Sequence, residues 1–349
     1  MNKKILHILN TGSYSGAENV VITLIEAFRQ YGEDVEFVYV SLEGSIRDVL
    51  EEKGINYEPI KKLSISEIKR VIKKHHPDII HAHDFTASII CATATGRVPI
   101  ISHIHNNPPW IKSYCINSFV YGLSCLKYKK IVGVSASVFD EYIFSKCIRS
   151  KTEVIGNPID IQKIRAMAKK AENNEQYDVV FLGRLKEQKD PSSFVEIVNQ
   201  VRKNTEIKAV MIGEGDMRTD TERKISEYGL EKNIELKGFM SNPYGILANS
   251  KMLCMPSKWE GYGLVAVEAL ALGKPVIAAP VGGLPGIVNE NCGRLCKSNA
   301  EFADEILSLL KDREKLSKKE KGALIRADEL DNIEWYKNKI KSFYTDVGR

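Results

Sequence analysis

A chain of 349 residues, 43% hydrophobic and 27% charged, has the composition of a globular protein with room for two domains, and excludes a disordered or fibrous one. Fifty Lys and Arg against 45 Asp and Glu leave a formal charge of +5. That is too slight to point to nucleic acid, yet it would not repel an anionic substrate or an anionic membrane.

The first nine residues, MNKKILHIL, are interrupted by His7 and followed by Asn10 and a glycine-bearing turn. They read as a first core strand and not as a signal peptide, which needs a longer apolar run and a cleavage site. No stretch approaches the roughly 18 apolar residues that span a bilayer. The expected location is therefore the cytoplasm, with the inner face of the cell membrane as the furthest attachment. Seven cysteines, an odd number without a C-x-x-C pair, read as buried free thiols of a reducing compartment.

In chain order, short β-branched runs alternate with amphipathic helical stretches. Candidate strands are 5–9, 35–40, 79–83, 99–105 and 130–134, then 179–182, 207–212, 234–236, 252–255 and 275–278. Alternation of this kind predicts parallel sheets covered by helices on both faces. Gly156-Asn157-Pro158 turns the chain before a polar, basic stretch. This gives a first α/β domain over 1–160, a linker over 161–176 and a second α/β domain over 177–330. Trp335, Tyr336, Ile340 and Phe343 predict an amphipathic closing helix within 331–349, which would pack back on the first domain. Two doubly wound domains facing across a cleft would bind ligands at the carboxyl ends of their strands.

The most informative segment is 256–277, PSKWEGYGLVAVEALALGKPVI. Residues 263–272 predict a helix that is apolar all round apart from Glu268, and such a helix is buried. A carboxylate inside it requires partners, either internal ones or a diol. Glu260 stands just before the helix beside Gly261, Tyr262, Gly263 and Leu264. It could cap the helix electrostatically, or the glycines could bring backbone N–H groups to an anion. The E-x7-E spacing within P-S-x-x-E-G-x-G, followed by A-L-A-x-G-x-P-V-I, resembles the family-four retaining glycosyltransferases of the GT-B fold. That resemblance implies that Glu260 touches a donor sugar and that Glu268 binds ribose hydroxyls.

A second loop, Gly183-Arg184-Leu185-Lys186-Glu187-Gln188-Lys189, ends a strand with a guanidinium and an ammonium suited to a diphosphate, although solvated charges are the plainer reading. It resembles the family's G-R-L-x-x-x-K loop, which implies that Gly183, Arg184 and Lys189 hold the leaving phosphates. After the first strand, Ser15-Gly16-Ala17-Glu18 resembles the family's G-G-A-E turn with Ser15 in place of its first glycine; Gly16 would offer amides to phosphate.

All seven histidines lie in the first half, and His81-x-His83 and His103-x-His105 each place two imidazoles on one strand face. Four such residues raise the possibility of a metal site, but no acidic or cysteine ligand accompanies them. The resemblance implies instead that His105 faces the donor sugar. Loops holding Glu214 and Phe239 resemble those flanking the nucleotide base. Gly286 stands where the family's G-G-x-P-E has glutamate.

No D-x-D occurs, so the expected chemistry is metal-independent and without cofactor. Arg184, Lys189 and backbone amides would take the charge of the leaving diphosphate. The expected reaction is retaining transfer, of hexosyl or N-acetylhexosaminyl type, from a nucleotide diphosphate donor, UDP by family frequency. The acceptor would be a saccharide or a lipid-linked molecule of bacterial surface polysaccharide or glycolipid synthesis. A nucleotide-sugar epimerase of the same fold and a non-catalytic sugar-nucleotide-binding subunit are the competing readings. The loop 108–114, rich in proline and aromatics, and Lys61, Lys62, Lys69, Arg70, Lys73 and Lys74 offer a surface for an anionic acceptor or membrane, or merely a loop packed on its own domain beside a solvated helix face.

Overall fold

The computed structural model describes residues 3–13, 16–171 and 175–347. The chain forms two compact units, Met1–Pro158 with Asn332–Arg349, and Ile159–Asp331.

The first unit holds one parallel sheet of seven strands: β1 (Lys3–Ile8), β2 (Val35–Leu42), β3 (Tyr57–Ile60), β4 (Ile79–His83), β5 (Ile100–Ile104), β6 (Tyr128–Gly133) and β7 (Thr152–Val154). Their order is β3-β2-β1-β4-β5-β6-β7, so the winding direction reverses between β1 and β4. Every residue of β4 and β5 is buried, as expected of strands covered on both faces. The helix Ile333–Val347 belongs to this unit. It buries Tyr336, Ile340, Phe343 and Tyr344, each large apolar side chain contributing roughly 1.5–3 kcal/mol. Lys337 pairs with Glu33 at 3.0 Å and Lys3 Nζ donates to the Tyr344 carbonyl at 2.6 Å. Trp335, expected on the buried stripe, is instead 54% exposed. At 3.6 residues per turn it falls one position off the stripe carried by Tyr336, Ile340 and Phe343.

The second unit holds β8 (Tyr177–Leu182), β9 (Ala209–Ile212), β10 (Ile234–Gly238), β11 (Ser250–Met255), β12 (Val276–Ala278) and β13 (Gly293–Leu295). They form a parallel sheet ordered β10-β9-β8-β11-β12-β13. Alternate residues of one strand enter opposite cores. Val179 and Phe181 pack with Phe194 and Val198, while Val180 packs with Ala266 and Leu270. Here the winding reverses between β8 and β11.

Residues 161–176, expected as a linker, carry the helix Ile161–Lys170. Asp160 caps it by accepting from the Lys163 amide at 2.9 Å, and Arg165 Nε donates to the Ala271 carbonyl at 3.0 Å. Its only fully buried side chain is Ile161, which explains the weak apolar periodicity. The seven cysteines are free, but Cys147 is exposed and Cys115 half-buried, unlike the other five. Among the described residues no helix is long and apolar enough to cross a membrane.

Candidate functional site

Because β8 and β11 are neighbours at a point of reversal, the loops leaving their carboxyl ends, 183–190 and 256–263, start side by side. In open parallel sheets ligands bind at such a point. The two loops are tied together. The Lys258 amide donates to the Gln188 carbonyl at 2.8 Å, and Gln188 Nε2 donates to the Trp259 carbonyl at 3.2 Å. Between them lies an ion pair, Lys189 Nζ to Glu260 Oε1 at 2.5 Å, and Ser257 Oγ donates to the same carboxylate oxygen at 2.8 Å. Glu260 is 4% exposed. A buried carboxylate without its cation would cost several kcal/mol.

Two glycines make this corner possible. Gly263 has φ +101° as the residue before the helix Leu264–Ala271, and Gly282 has φ +58°. A Cβ on Gly282 would sit 1.9 Å from the Glu260 carbonyl oxygen, so any other residue there would push the Glu260 loop away. The Gly283 amide donates to the Gly261 carbonyl at 2.9 Å, which fixes Gly261 and Tyr262 against the loop that follows β12.

The helix Leu264–Ala271 buries Ala266, Val267, Ala269, Leu270 and Ala271 but leaves Leu264, Val265 and Glu268 half-buried. It is therefore open on one side, not enclosed all round as its composition suggested. Burial pushes the Glu268 carboxyl up to about 7, against the pull of a hydrogen bond from Tyr244 and of the Lys189 charge. Tyr244 and Ser257 are partners that the sequence did not single out; a lone tyrosine after Asn242-Pro243 carries no signal of its own.

Arg184 is exposed and reaches Gln188 Oε1 at 3.4 Å. Gly183 packs along the Lys189 stem, with its Cβ position 3.5 Å from Lys189 carbons. Glu214, at the end of β9, is exposed and pairs with Arg218, while its carbonyl accepts from the Leu185 amide at 2.9 Å. Phe239 follows the edge strand β10 and is 63% exposed. It stands two strand spacings from β8, about 10 Å. The structure thus gathers Gly183, Arg184, Lys189, Glu260, Gly261, Tyr262, Gly263, Leu264 and Glu268 closely, borders them with Glu214, and sets Phe239 further out. Gly286 has open space where a side chain would begin, and Arg326 Nη2 donates to its carbonyl at 2.6 Å.

Gly16 and His105 lie on the first unit. Gly16 begins the helix Gly16–Gln30, and a Cβ there would meet nothing within 4 Å; Ser15 is outside the described residues. His105 follows β5, its amide donating to Asp84 Oδ1 at 2.8 Å. Asp84 itself has φ +65°, a conformation costing about 1–3 kcal/mol for a residue with a side chain. The histidines gather further than their spacing showed. His7 of β1 joins His81 and His83 of β4, His103 of β5 and His105 in one cluster. Burial lowers them all, His7 and His105 to about 3, reinforced by repulsion from neighbouring rings for His7, His81, His83 and His103 and opposed by Asn157 for His105, so the rings are neutral at physiological pH. His7, His81 and His83, or His83, His103 and His105, each bring one nitrogen apiece within 4.8 Å of one another and could hold a metal ion.

Part of the loop 108–114 packs on its own unit, and part of it is exposed. Trp110 meets the Phe85 ring edge-on at 4.8 Å and Ile111 is fully buried, whereas Tyr114 is 75% exposed. Among the basic residues, Arg70 and Lys74 are paired with Glu58 at 2.8 and 2.5 Å. The larger surface feature comes next in the chain. The helix Ile116–Ser124 exposes Ile116, Phe119, Val120 and Leu123, followed by Leu126. Sequence reading missed it because an apolar stripe at helical spacing ordinarily faces a core.

The model of the family described as "Glycosyl transferases group 1" matches residues 162–324, and that of "Glycosyltransferase Family 4" matches residues 14–163. An uncharacterised glycosyltransferase of Methanocaldococcus jannaschii is 26% identical over 61% of this chain. The matched part spans only 58% of that relative. The UDP-Gal:alpha-D-GlcNAc-diphosphoundecaprenol alpha-1,3-galactosyltransferase of Escherichia coli is 23% identical over 99% of this chain and 97% of its own length. Among solved structures, Anabaena HepE in complex with UDP-glucose superposes with a TM-score of 0.84 at 21% identity, covering 99% of this chain and all of that one. Two parallel sheets of seven and six strands and a likeness that runs the length of HepE make the fold GT-B. With one model matching each half, the chain belongs to the family-four glycosyltransferases.

Proposed function

We propose that this chain transfers a sugar, with retention of configuration, from a UDP-sugar to a saccharide or lipid-linked acceptor of bacterial surface polysaccharide or glycolipid synthesis. The observation that carries the reading is the buried Lys189–Glu260 pair at the β8/β11 reversal, set beside the start of the helix that bears Glu268. An ammonium has three donor hydrogens, so Lys189 can keep Glu260 in place while also holding a phosphate oxygen. Arg184 and the free amides at the start of Leu264–Ala271 add to the same charge. UDP is favoured because the E. coli relative is described as acting on UDP-Gal and HepE holds UDP-glucose.

In the proposed front-face reaction the bond from the anomeric carbon to the diphosphate oxygen breaks as the acceptor oxygen approaches from the same side. A donor phosphate oxygen takes the acceptor's proton. Lys189, Arg184 and the helix amides stabilise the departing diphosphate without a metal ion, and Glu260 holds the sugar. An epimerase or a binding subunit would not release nucleotide in step with the arrival of acceptor.

The acceptor side is favoured by the apolar face of Ile116–Ser124, where Ile116 is 81% and Leu123 69% exposed. The exposed Lys112, Lys127, Lys129 and Lys146 flank it in the chain. An apolar stripe among cations fits an anionic membrane surface, where a lipid-linked acceptor would reside.

Three measurements check these proposals. In a thermal-shift panel of UDP, GDP, ADP and CDP run in EDTA, UDP should raise the melting temperature most. At one hundred times its Kd it adds about 2.7 kcal/mol, and Lys189→Ala, compared with its own ligand-free baseline, should lose the rise. No shift with any nucleotide would overturn the donor site.

Ribose hydroxyls would favour the ionised form of Glu268, so binding should lower its pKa and release a proton. UDP affinity should therefore climb about tenfold from pH 6 to pH 8. The sign for the ligand-free protein is opposite. A carboxyl raised from 4.5 to about 7 makes the folded state bind more protons across that window, so stability falls as pH rises through it. Glu268→Gln should remove both dependences, leaving only the part due to the phosphate of UDP itself; an unchanged slope in that variant would refute the ribose role.

For the acceptor side, Ile116→Asp with Leu123→Asp should weaken co-sedimentation with phosphatidylglycerol vesicles roughly tenfold or more. If the parent ignores vesicles and instead dimerises by light scattering through this face, the membrane reading fails.

A further inference from the structure

The histidine cluster of the first unit closes into a single account of ring protons. A neutral imidazole has one N–H and one bare nitrogen, so each of these rings can donate once and accept once. Two arms meet at the Tyr344 hydroxyl. In one, Tyr344 Oη lies 2.8 Å from His81 Nδ1, and His81 Nε2 lies 3.1 Å from His103 Nδ1. In the other, Tyr344 Oη lies 3.4 Å from His7 Nε2, His7 Nδ1 lies 2.9 Å from His83 Nε2, and His83 Nδ1 lies 2.8 Å from His105 Nε2.

Suppose the tyrosine O–H donates to His81. The His81 proton must then sit on Nε2 and point at His103 Nδ1, so the His103 proton also sits on Nε2. The tyrosine oxygen accepts from His7 Nε2–H. His7 Nδ1 accepts from His83 Nε2–H, and His83 Nδ1 accepts from His105 Nε2–H. If the tyrosine donates to His7 instead, every proton moves to Nδ1. A tyrosine oxygen that accepted from both rings would leave its own buried proton without an acceptor; of the arrangements that use this proton, only these two satisfy all the contacts, and in each the five histidines carry their proton on the same-named nitrogen. The chain must end at His103 Nε2 and His105 Nδ1. Those are the two histidine nitrogens without a hydrogen-bond partner among the buried atoms of the described residues.

We propose that Tyr344 and the five histidines form one proton-ordered chain that fixes the tautomer of His105, with Tyr344, His7 and His83 as positioning residues. Hydroxyl donation makes shorter bonds than N–H donation. The 2.8 Å contact to His81 against 3.4 Å to His7 selects the arrangement in which all five are Nε2–H, and His105 then presents a bare, accepting Nδ1. Asn157 beside this end acts on His105 in the direction that raises its pKa, as a carboxamide oxygen facing a ring N–H does; the bare Nδ1 requires that carboxamide turned so that its nitrogen donates there. A metal ion is the competing use of these nitrogens. Around a tetrahedral ion with bonds of about 2.0–2.1 Å the ligand nitrogens stand about 3.3 Å apart, wider than the 2.8–3.1 Å of the ring-to-ring contacts here. The proton count already uses every nitrogen but the two ends. This inference stands apart from the transferase reading.

The test is ring-nitrogen NMR on the intact chain labelled with 15N-histidine at neutral pH, where N–H and bare nitrogens are resolved. The expected result is one tautomer, Nε2–H, for His7, His81, His83, His103 and His105 alike. Tyr344→Phe should uncouple the arms, so that His81 with His103 and His7 with His83 and His105 agree within each arm but no longer all with one another. His103→Gln removes one end only, and its amide oxygen can accept from His81, so the other four should keep their tautomer; this variant serves if Tyr344→Phe does not fold. Mixed tautomers in the parent, an unchanged spectrum in Tyr344→Phe, or disturbance of the other four in His103→Gln would overturn the chain. So would stoichiometric uptake of Zn2+ that shifts all five rings.

Discussion

A carboxylate that is 4% exposed persists only if something of opposite charge is held against it, and in the second unit that something is Lys189, seventy-one residues away in sequence. The pairing is a consequence of topology. Reversal of winding between β8 and β11 is what brings a basic loop and an acidic loop to the same edge. Glycines at 263 and 282 let the acidic loop turn tightly enough for Glu260 to reach inward. Every other feature of the site hangs on that contact: the start of the helix Leu264–Ala271 is positioned by the Glu260 loop, and Glu268 is carried on that helix. Glu268 and Glu260 are two acids in one site with different surroundings, the first desolvated, which raises its carboxyl, and the second facing the Lys189 ammonium.

The first unit solves a different problem with the same kind of sheet. Its central strands β1, β4 and β5 bury imidazoles, whereas β8, β9 and β11 of the second unit bury no histidine and almost only apolar side chains. Buried neutral rings are tolerable because each satisfies its neighbour. Strain at Asp84 and the return of the closing helix, which brings the Tyr344 hydroxyl among the rings, belong to that arrangement. The C-terminal helix therefore supplies polar chemistry to the sheet as well as apolar cover.

Much of this was legible in the sequence. The ten strands read from β-branched runs are the interior strands and one edge strand, β10, because burial on both faces leaves a continuous apolar signature. The strands missed, β3, β7 and β13, are all edges of their sheets. They are short, and their sequences, such as Thr152-Glu153-Val154, carry polar residues that an interior position would not permit. The E-x7-E and G-R-L-x-x-x-K segments stood out because residues of rare type sit beside glycines at strand ends. Their mutual pairing was not legible, since nothing in either loop encodes which strand lies next to it. Tyr244, His7 and Tyr344 were invisible as partners for the same reason, each being an ordinary residue until the fold sets it 3 Å from its neighbour. The exposed face of Ile116–Ser124 drew no reading, because periodicity reports that one face is apolar and not what covers it.

The central claim is that the β8/β11 reversal holds a nucleoside diphosphate. The measurement that tests it most directly is a crystal structure of the chain grown with UDP. The account requires the ribose hydroxyls on Glu268 and the diphosphate between Lys189, Arg184 and the amides at the start of Leu264–Ala271. UDP bound anywhere else on the chain, with the Lys189–Glu260 corner untouched, would contradict it.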